Sequence, residues 1–172
     1  MNKIPTIMGI DFGIANTIYI AFNNNDHYYS IRSAPVLKGS RKLIKTPGNP
    51  YETIEEYNYK TALYVVNMAL KHHASIIQME DLTGAGFTDN MFYFELQRNI
   101  QTFGEEKSII IRYVNKYLTS QRCYLCGYID KRNRIDQSTF TCLNCGNTTN
   151  ADYNAARNIS TPNIEEIIMS TK

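Results

Sequence analysis

The sequence predicts an α/β fold, because short apolar runs typical of strands alternate with longer segments of helical periodicity. Two observations carry this prediction: three strand-like runs stand at the start of the chain, and helical segments separate the later runs. The predicted strands are residues 7–12, 17–22, 27–31, 76–79 and 109–113. This order of elements is the pattern of a sheet with helices packed on it.

The first three runs predict an antiparallel meander. The run at 7–12 is bounded by Pro5 and Gly13, and the run at 17–22 follows almost at once. Four turn-forming residues at 23–26 then return the chain into the third strand. Residues 27–51 carry five Lys or Arg, no acid and three prolines, which predicts a basic loop after the meander.

The helices are predicted from periodicity and from their end signals. Between about Glu52 and His73, apolar residues recur at helical spacing, with acids in the first turns and basic residues at the end. The residues that give this spacing are Ala62, Val65, Val66, Ala69 and Leu70. A second helix is expected from residue 89 or 90 to about 106, and a third from Ala151. Thr161 and Pro162 are expected to cap and begin a short fourth helix.

Composition is that of an ordinary globular protein, with 43% hydrophobic and 20% charged residues in 172. The formal net charge is +2, from 18 basic and 16 acidic side chains. One zinc ion held by four thiolates would bring the sum to zero. The total charge therefore gives no indication for or against nucleic acid, and only local basic patches can.

No segment reaches the ~18 apolar residues that a membrane span needs. Asp11 interrupts the apolar run near the N-terminus, and no signal-peptide cleavage site follows it. The expected location is therefore the cytoplasm, with no membrane partner. In a reducing compartment, paired cysteines are more often metal ligands than disulfides.

The four cysteines have the spacing of a zinc ribbon. Two Cys-x-x-Cys pairs are separated by fifteen residues, and a glycine follows each pair: the cysteines are Cys123, Cys126, Cys142 and Cys145. Two disulfides, a rubredoxin-type iron site and redox-active pairs are the alternatives. Because all four ligands come from protein, the expected zinc is structural.

Basic residues concentrate before and inside this module. From Lys107 to Arg134 there are seven Lys or Arg and one acid, interleaved with four tyrosines. Such a stretch can track a phosphate backbone and stack on bases. An ordinary solvated surface of a small module explains the same composition, and the sequence leaves both explanations open.

Three carboxylates stand at positions expected to be buried, where a charge is costly unless it is paired or binds a metal ion. Asp11 lies within an apolar strand, Glu80 ends another, and Asp152 opens the last helix. Helical spacing places Ala155, Ala156 and Ile159 on the face of Asp152, and turns Asn154 and Asn158 away from it. If the first and fourth strands are neighbours, the three acids can converge and bind Mg²⁺ or Mn²⁺. Separately, Asp11 could form a strand-end turn, Glu80 an exposed strand end and Asp152 a helix cap.

Four ordered segments resemble a known family. Residues 9–16, 78–82 and 151–159 are similar to the three RuvC motifs of TnpB nucleases, and residues 119–127 are similar to the start of their ribbon. The resemblance extends to the miniature type V CRISPR effectors. It implies an RNase H-like (RuvC) mixed sheet flanked by helices, with an inserted four-cysteine zinc ribbon.

The resemblance also implies a function and its residues. Asp11, Glu80 and Asp152 would be catalytic acids that bind two Mg²⁺ or Mn²⁺ ions, and Arg134 would approach the active site from the ribbon. The implied activity is RNA-guided DNA cleavage by a two-metal mechanism. Residues 83–94 correspond to the family's active-site lid, with Gly84 and Gly86 as hinges. Of the three aromatic residues at 92–94, we expect at least two to face the core.

The implied organisation has a RuvC-like core at 1–118 and a nucleic-acid-binding ribbon at 119–149. Residues 150–172 would complete the core with the third motif. Family members carry a guide-binding N-terminal half, which we expect to be absent here because Met1 lies just before the first motif. The expected partners are a single DNA strand at the active site, a guide RNA bound through that half or a partner chain, and a second copy of this chain.

Two other classes of function remain open at this point. One is a nucleic-acid-binding remnant, or a transposon-associated DNA-binding protein, without guided cleavage. The other is a free-standing nuclease that selects its substrate by structure. The presence of all three acids favours a working nuclease over a remnant.

Overall fold

The computed structural model describes residues 4–13, 16–33, 42–43, 50–82, 91–115 and 117–171. A five-stranded mixed sheet has the strand order β3-β2-β1-β4-β5. Its strands are β1 (Ile7–Phe12), β2 (Asn16–Phe22), β3 (Tyr28–Arg32), β4 (Ile76–Glu80) and β5 (Ile110–Val114). The helices are α1 (Ile54–Lys71), α2 (Met91–Glu106), α3 (Ala151–Ile159) and α4 (Ile164–Met169).

The pairing of the strands confirms the predicted meander and gives the sheet its mixed character. Strand β2 runs antiparallel to both β1 and β3, whereas β1–β4 and β4–β5 are parallel pairs. The fifth strand begins one residue later than the pattern predicts. It lies at the edge of the sheet, where Ile110 is 54% exposed. Apolar residues therefore mark its bounds less sharply than those of a buried strand.

Helices α1 and α2 pack on one face of the sheet. Every second residue of β1, from Met8 to Phe12, points into this layer, together with Ile77 and Met79 of β4. Four of the five predicted apolar residues of α1 are buried there, but Leu70 is 42% exposed. Leu70 lies one position past Ala69, and this 100° step turns it out of the buried stripe.

The first turn of α1 is fixed by side-chain hydrogen bonds. The Thr53 hydroxyl accepts the backbone N–H of Glu56, and the Glu56 carboxylate accepts that of Glu52. The following helix, α2, is described from Met91 to Glu106, so it ends where the sequence predicts, whereas its expected start at residue 89 or 90 lies outside the described residues. Tyr93 donates its hydroxyl to the Gly13 carbonyl, and Phe92 stacks on Tyr57. Two of the three aromatic residues at 92–94 thus face the core, as expected.

Helix α3 covers the opposite face, against β1 and β2. The close approach depends on Gly9, because a Cβ there would lie 2.3 Å from the Ala156 carbonyl oxygen. The expected cap of α4 is wrong. Asn163, with φ of 53°, precedes α4, and the Thr161 hydroxyl instead donates to the Arg157 carbonyl at the end of α3.

The ribbon lies between β5 and α3. It contains a short 3₁₀ helix at Lys131–Asn133 and the hairpin β6 (Thr139–Thr141) and β7 (Thr148–Asn150). Most of the predicted basic loop, and the predicted hinges Gly84 and Gly86, lie outside the described residues. Within the described ranges, no helix has the length and apolar character needed to cross a membrane.

Candidate active site and metal centre

The four cysteines of the ribbon form one cluster. Their sulfur atoms all lie within 4.8 Å of one another, with Cys123 and Cys142 buried and Cys126 and Cys145 exposed. Each Cys-x-x-Cys turn closes when the following glycine donates its N–H to the carbonyl of the first cysteine. Both glycines have φ above 70°, a left-handed conformation that glycine adopts without steric cost. This cluster can hold a metal ion.

Asp11 and Glu80 occupy neighbouring positions on two adjacent strands. Strands β1 and β4 run parallel with Ile10 opposite Met79, so the next residue on each strand is one of the two acids. Asp11 is 9% exposed and Glu80 is 3% exposed. The condition for convergence, adjacency of the first and fourth strands, is therefore met.

The residues two positions before these acids show which face they occupy. Gln78 donates its side-chain N–H to the Ile159 carbonyl of α3 at 2.6 Å, and Gly9 contacts Ala156 of the same helix. Side chains two apart on a strand share a face. Asp11 and Glu80 therefore lie on the face covered by α3.

Asp152 reaches this face from the first turn of α3. Tyr19 is the strand partner of Asp11. Burial raises the pKa of Tyr19 to about 12, and the charges of Tyr28 and Asp152 add to this rise, so Asp152 lies near Tyr19. The three acids thus share one face of the sheet. Among the described residues, however, the four cysteines are the one group in which three or more potential metal-ligand atoms lie within 4.8 Å of one another.

Arg134 extends from the ribbon toward Asp152. Its Nη2 atom lies 3.8 Å from Asp152 Oδ1, and both side chains are mostly buried. Burial raises the pKa of Asp152, and the Arg134 charge opposes that rise. This contact brings together two residues that are eighteen positions apart in sequence.

The separate structural roles that the sequence allowed for each acid do not fit the structure. Asp11 lies inside β1 and is buried, so it does not form a strand-end turn. Glu80 ends β4 but is buried as well. The cap of α3 is Asn150, whose Oδ1 accepts the N–H groups of Asp152 and Tyr153. The Asp152 side chain is therefore not the cap.

Sequence reasoning missed the role of Asn154 and Asn158. Both are fully buried, and both bind the backbone at the base of the ribbon. Their four-residue spacing on a helix next to the ribbon was the available signal. Helical spacing correctly turns them away from the face of Asp152, but it does not identify what they contact.

Comparisons with known proteins agree with this geometry. Residues 93–159 match the family described as Cas12f1-like, TNB domain. A CRISPR-associated endodeoxyribonuclease Cas12f1 from Sulfoacidibacillus thermotolerans is 36% identical over 203 residues, which cover 98% of this chain and 47% of that protein. Over almost its whole length the chain is similar to Cas12f1. The expected resemblance to the RuvC-plus-ribbon half of miniature type V CRISPR effectors is thus confirmed.

Solved structures support the same fold. A Cas12f1–sgRNA–target DNA complex matches with a TM-score of 0.69 at 22% identity, covering 93% of this chain and 51% of that chain. The RuvC structure of Thermus thermophilus matches with a TM-score of 0.53 at 13% identity, covering 96% of each chain. The predicted RuvC-like mixed sheet with a four-cysteine ribbon is confirmed. The chain spans about half the length of the Cas12f1 relative that it matches.

Proposed function

We propose that this chain carries the DNA endonuclease activity of an RNA-guided nuclease and hydrolyses phosphodiester bonds by a two-metal mechanism. The observation that carries the proposal is the placement of Asp11, Glu80 and Asp152 on one face of a RuvC-like sheet. Relatives named as endodeoxyribonucleases support it. The proposed partition remains 1–118 for the core, 119–149 for the ribbon and 150–172 for the third motif.

The donor set fits two Mg²⁺ or Mn²⁺ ions held by Asp11, Glu80 and Asp152. Carboxylate oxygens are the ligands these ions prefer, and burial of carboxylates is costly without a compensating cation. Bound at this position, the ions would activate water and stabilise the leaving 3′ oxygen. Arg134, held beside Asp152, would contribute positive charge at the scissile phosphate.

The substrate proposed for this site is a single DNA strand. Lys131, Arg132 and Arg134 lie on the ribbon, and the first two are exposed to solvent. They would contact the phosphate backbone without selecting a sequence. Sequence selection would come from pairing with a guide RNA, bound through another half of the protein or a partner chain, and a second copy of the chain is a further proposed partner.

The chain by itself is expected to bind single-stranded DNA weakly, with affinity falling steeply as salt rises. With Mn²⁺ or high Mg²⁺ it should cut single strands slowly and without sequence preference, and leave duplex DNA nearly intact. Cleavage of end-labelled single strands and of a randomised duplex library, followed by sequencing of the ends, measures this.

Three other outcomes each point to a different function. Binding without cleavage under any divalent ion would favour a nucleic-acid-binding remnant. Cuts confined to branched duplexes would favour a structure-selective nuclease. Reproducible cuts at one duplex motif would show that the chain selects DNA without a guide.

For the ribbon we propose one structural zinc ion, bound by the four cysteines. Cys142→Ser should cause loss of about one zinc per chain and unfolding of the ribbon, while the sheet stays folded. Metal analysis and hydrogen exchange measure the two effects. Thr141→Ser, one residue earlier, is the control and should retain zinc. Iron in the purified protein, or disulfides in place of metal, would contradict the zinc proposal.

A further inference from the structure

Three fully buried asparagines lie in the ribbon and in helix α3 that follows it: Asn133, Asn154 and Asn158. We propose that they are positioning residues that hold Arg134 beside Asp152, and so set the place of positive charge at the active site. The inference rests on the proposed nuclease function. The hydrogen bonds of these side chains go to backbone groups and to the Arg122 guanidinium.

The first link joins α3 to the base of the ribbon. Asn154 donates to the Arg122 carbonyl at 2.8 Å and accepts the Tyr124 N–H at 3.1 Å. One turn later, Asn158 donates to the carbonyls of Thr119 and Arg122 at 2.9 and 2.6 Å. Its Oδ1 accepts the Arg122 guanidinium at 2.7 Å. The bound backbone groups lie on both sides of the first ribbon cysteine.

The second link runs through the interior of the ribbon. Asn133 donates to the carbonyls of Gln121 and Tyr128 at 3.0 and 3.4 Å, and its Oδ1 accepts the Leu143 N–H at 3.0 Å. It therefore ties the base of the ribbon to both cysteine turns. The next residue in sequence is Arg134, so these bonds fix the point from which the arginine side chain extends.

The third link connects Arg134 back to helix α3. Arg134 donates Nη2–H to the Gln137 carbonyl at 2.8 Å, and the same atom lies 3.8 Å from Asp152 Oδ1. Asp152 belongs to α3, two residues before Asn154. Helix α3 thus positions the ribbon, and the ribbon positions Arg134. The Arg134 side chain in turn lies beside Asp152 of the same helix.

Each asparagine uses both halves of its amide, which is why this side chain is needed. Its oxygen accepts one bond and its nitrogen donates one or more, a combination that neither a carboxylate nor an alkyl side chain offers. Because these positions are buried, removing one amide leaves backbone groups unsatisfied, and the chain there must shift. A displacement of about 1 Å is enough to lower catalysis strongly.

The test is a double-mutant cycle on cleavage of single-stranded DNA by the full chain. Arg134→Ala alone should lower kcat by about tenfold or more. Asn158→Ala should lower kcat to a similar degree and leave KM nearly unchanged. If both act through the arginine, the double variant should be within about threefold of Arg134→Ala. Asn67→Ala, at an exposed position of α1, is the matched control and should cut as the wild type does.

Effects that multiply in the double variant would overturn the proposal, because they would show independent contributions. Hydrogen exchange gives a readout without cleavage: Asn154→Ala should speed exchange at 119–128 while β1 and β4 stay protected. Unchanged exchange at 119–128 would also overturn it. A wild-type chain that cuts nothing would instead count against the nuclease function, and the exchange result would still decide the link.

Discussion

Glu80→Gln is expected to abolish metal-dependent DNA cleavage, with a loss of at least about a thousandfold, and to leave nucleic-acid binding intact. Asp11→Asn and Asp152→Asn should have the same result. Each change keeps the shape of the side chain but removes a negative charge from the sheet face that the three acids share. Rates on single-stranded DNA, with binding measured in parallel, give the comparison.

Stability supplies a second measurement that does not depend on turnover. Burial opposes the charged form of Asp152, so a neutral amide at this position should not destabilise the fold. An ion bound only by the folded state stabilises it, so Mn²⁺ should raise the melting temperature of the wild type more than that of the three variants. Glu166→Gln, at an exposed position of α4, is the control and should keep both cleavage and the Mn²⁺ shift. Cleavage that survives Glu80→Gln at more than a few per cent would refute the proposed site.

The sequence made it possible to predict the two strands that carry acids, because Asp11 and Glu80 each stand in or at the end of a buried apolar run. Their adjacency could only be stated as a condition. Strands β1 and β4 are separated by more than sixty residues, and their pairing depends on the whole sheet. The pairing places the two acids at neighbouring positions on adjacent strands.

Local signals failed where a side chain has its partner in another part of the fold. Thr161 has the chemistry of a helix cap, but its hydroxyl is used by the end of α3. Asn154 and Asn158 were correctly turned away from the acid, yet their partners belong to the ribbon. Periodicity gives the direction of a side chain, whereas tertiary packing decides what it meets.

The position of Asp152 depends on how closely α3 approaches the sheet, and Gly9 controls that distance. A methyl group at Gly9 would lie 2.3 Å from the Ala156 carbonyl oxygen and 2.4 Å from the Ser160 nitrogen. Both are backbone atoms, so neither can rotate away, and α3 must move outward. The two alanines of α3 that sequence analysis singled out provide only half of this close contact.

Gly9→Ala should therefore lower the free energy of unfolding by about 3 kcal/mol or more and remove cleavage, since Asp152 moves with its helix. Urea denaturation and the single-strand assay measure the two effects. Gly104→Ala is the matched control. The added methyl group there meets the terminal carbon of Ile111, a flexible side chain, at 2.8 Å, and alanine favours the helix by up to about 1 kcal/mol. Its stability should stay within about 1 kcal/mol of the wild type. A Gly9→Ala chain as stable and active as the Gly104→Ala chain would mean that α3 does not pack against β1, and the common face of the three acids would be lost with it.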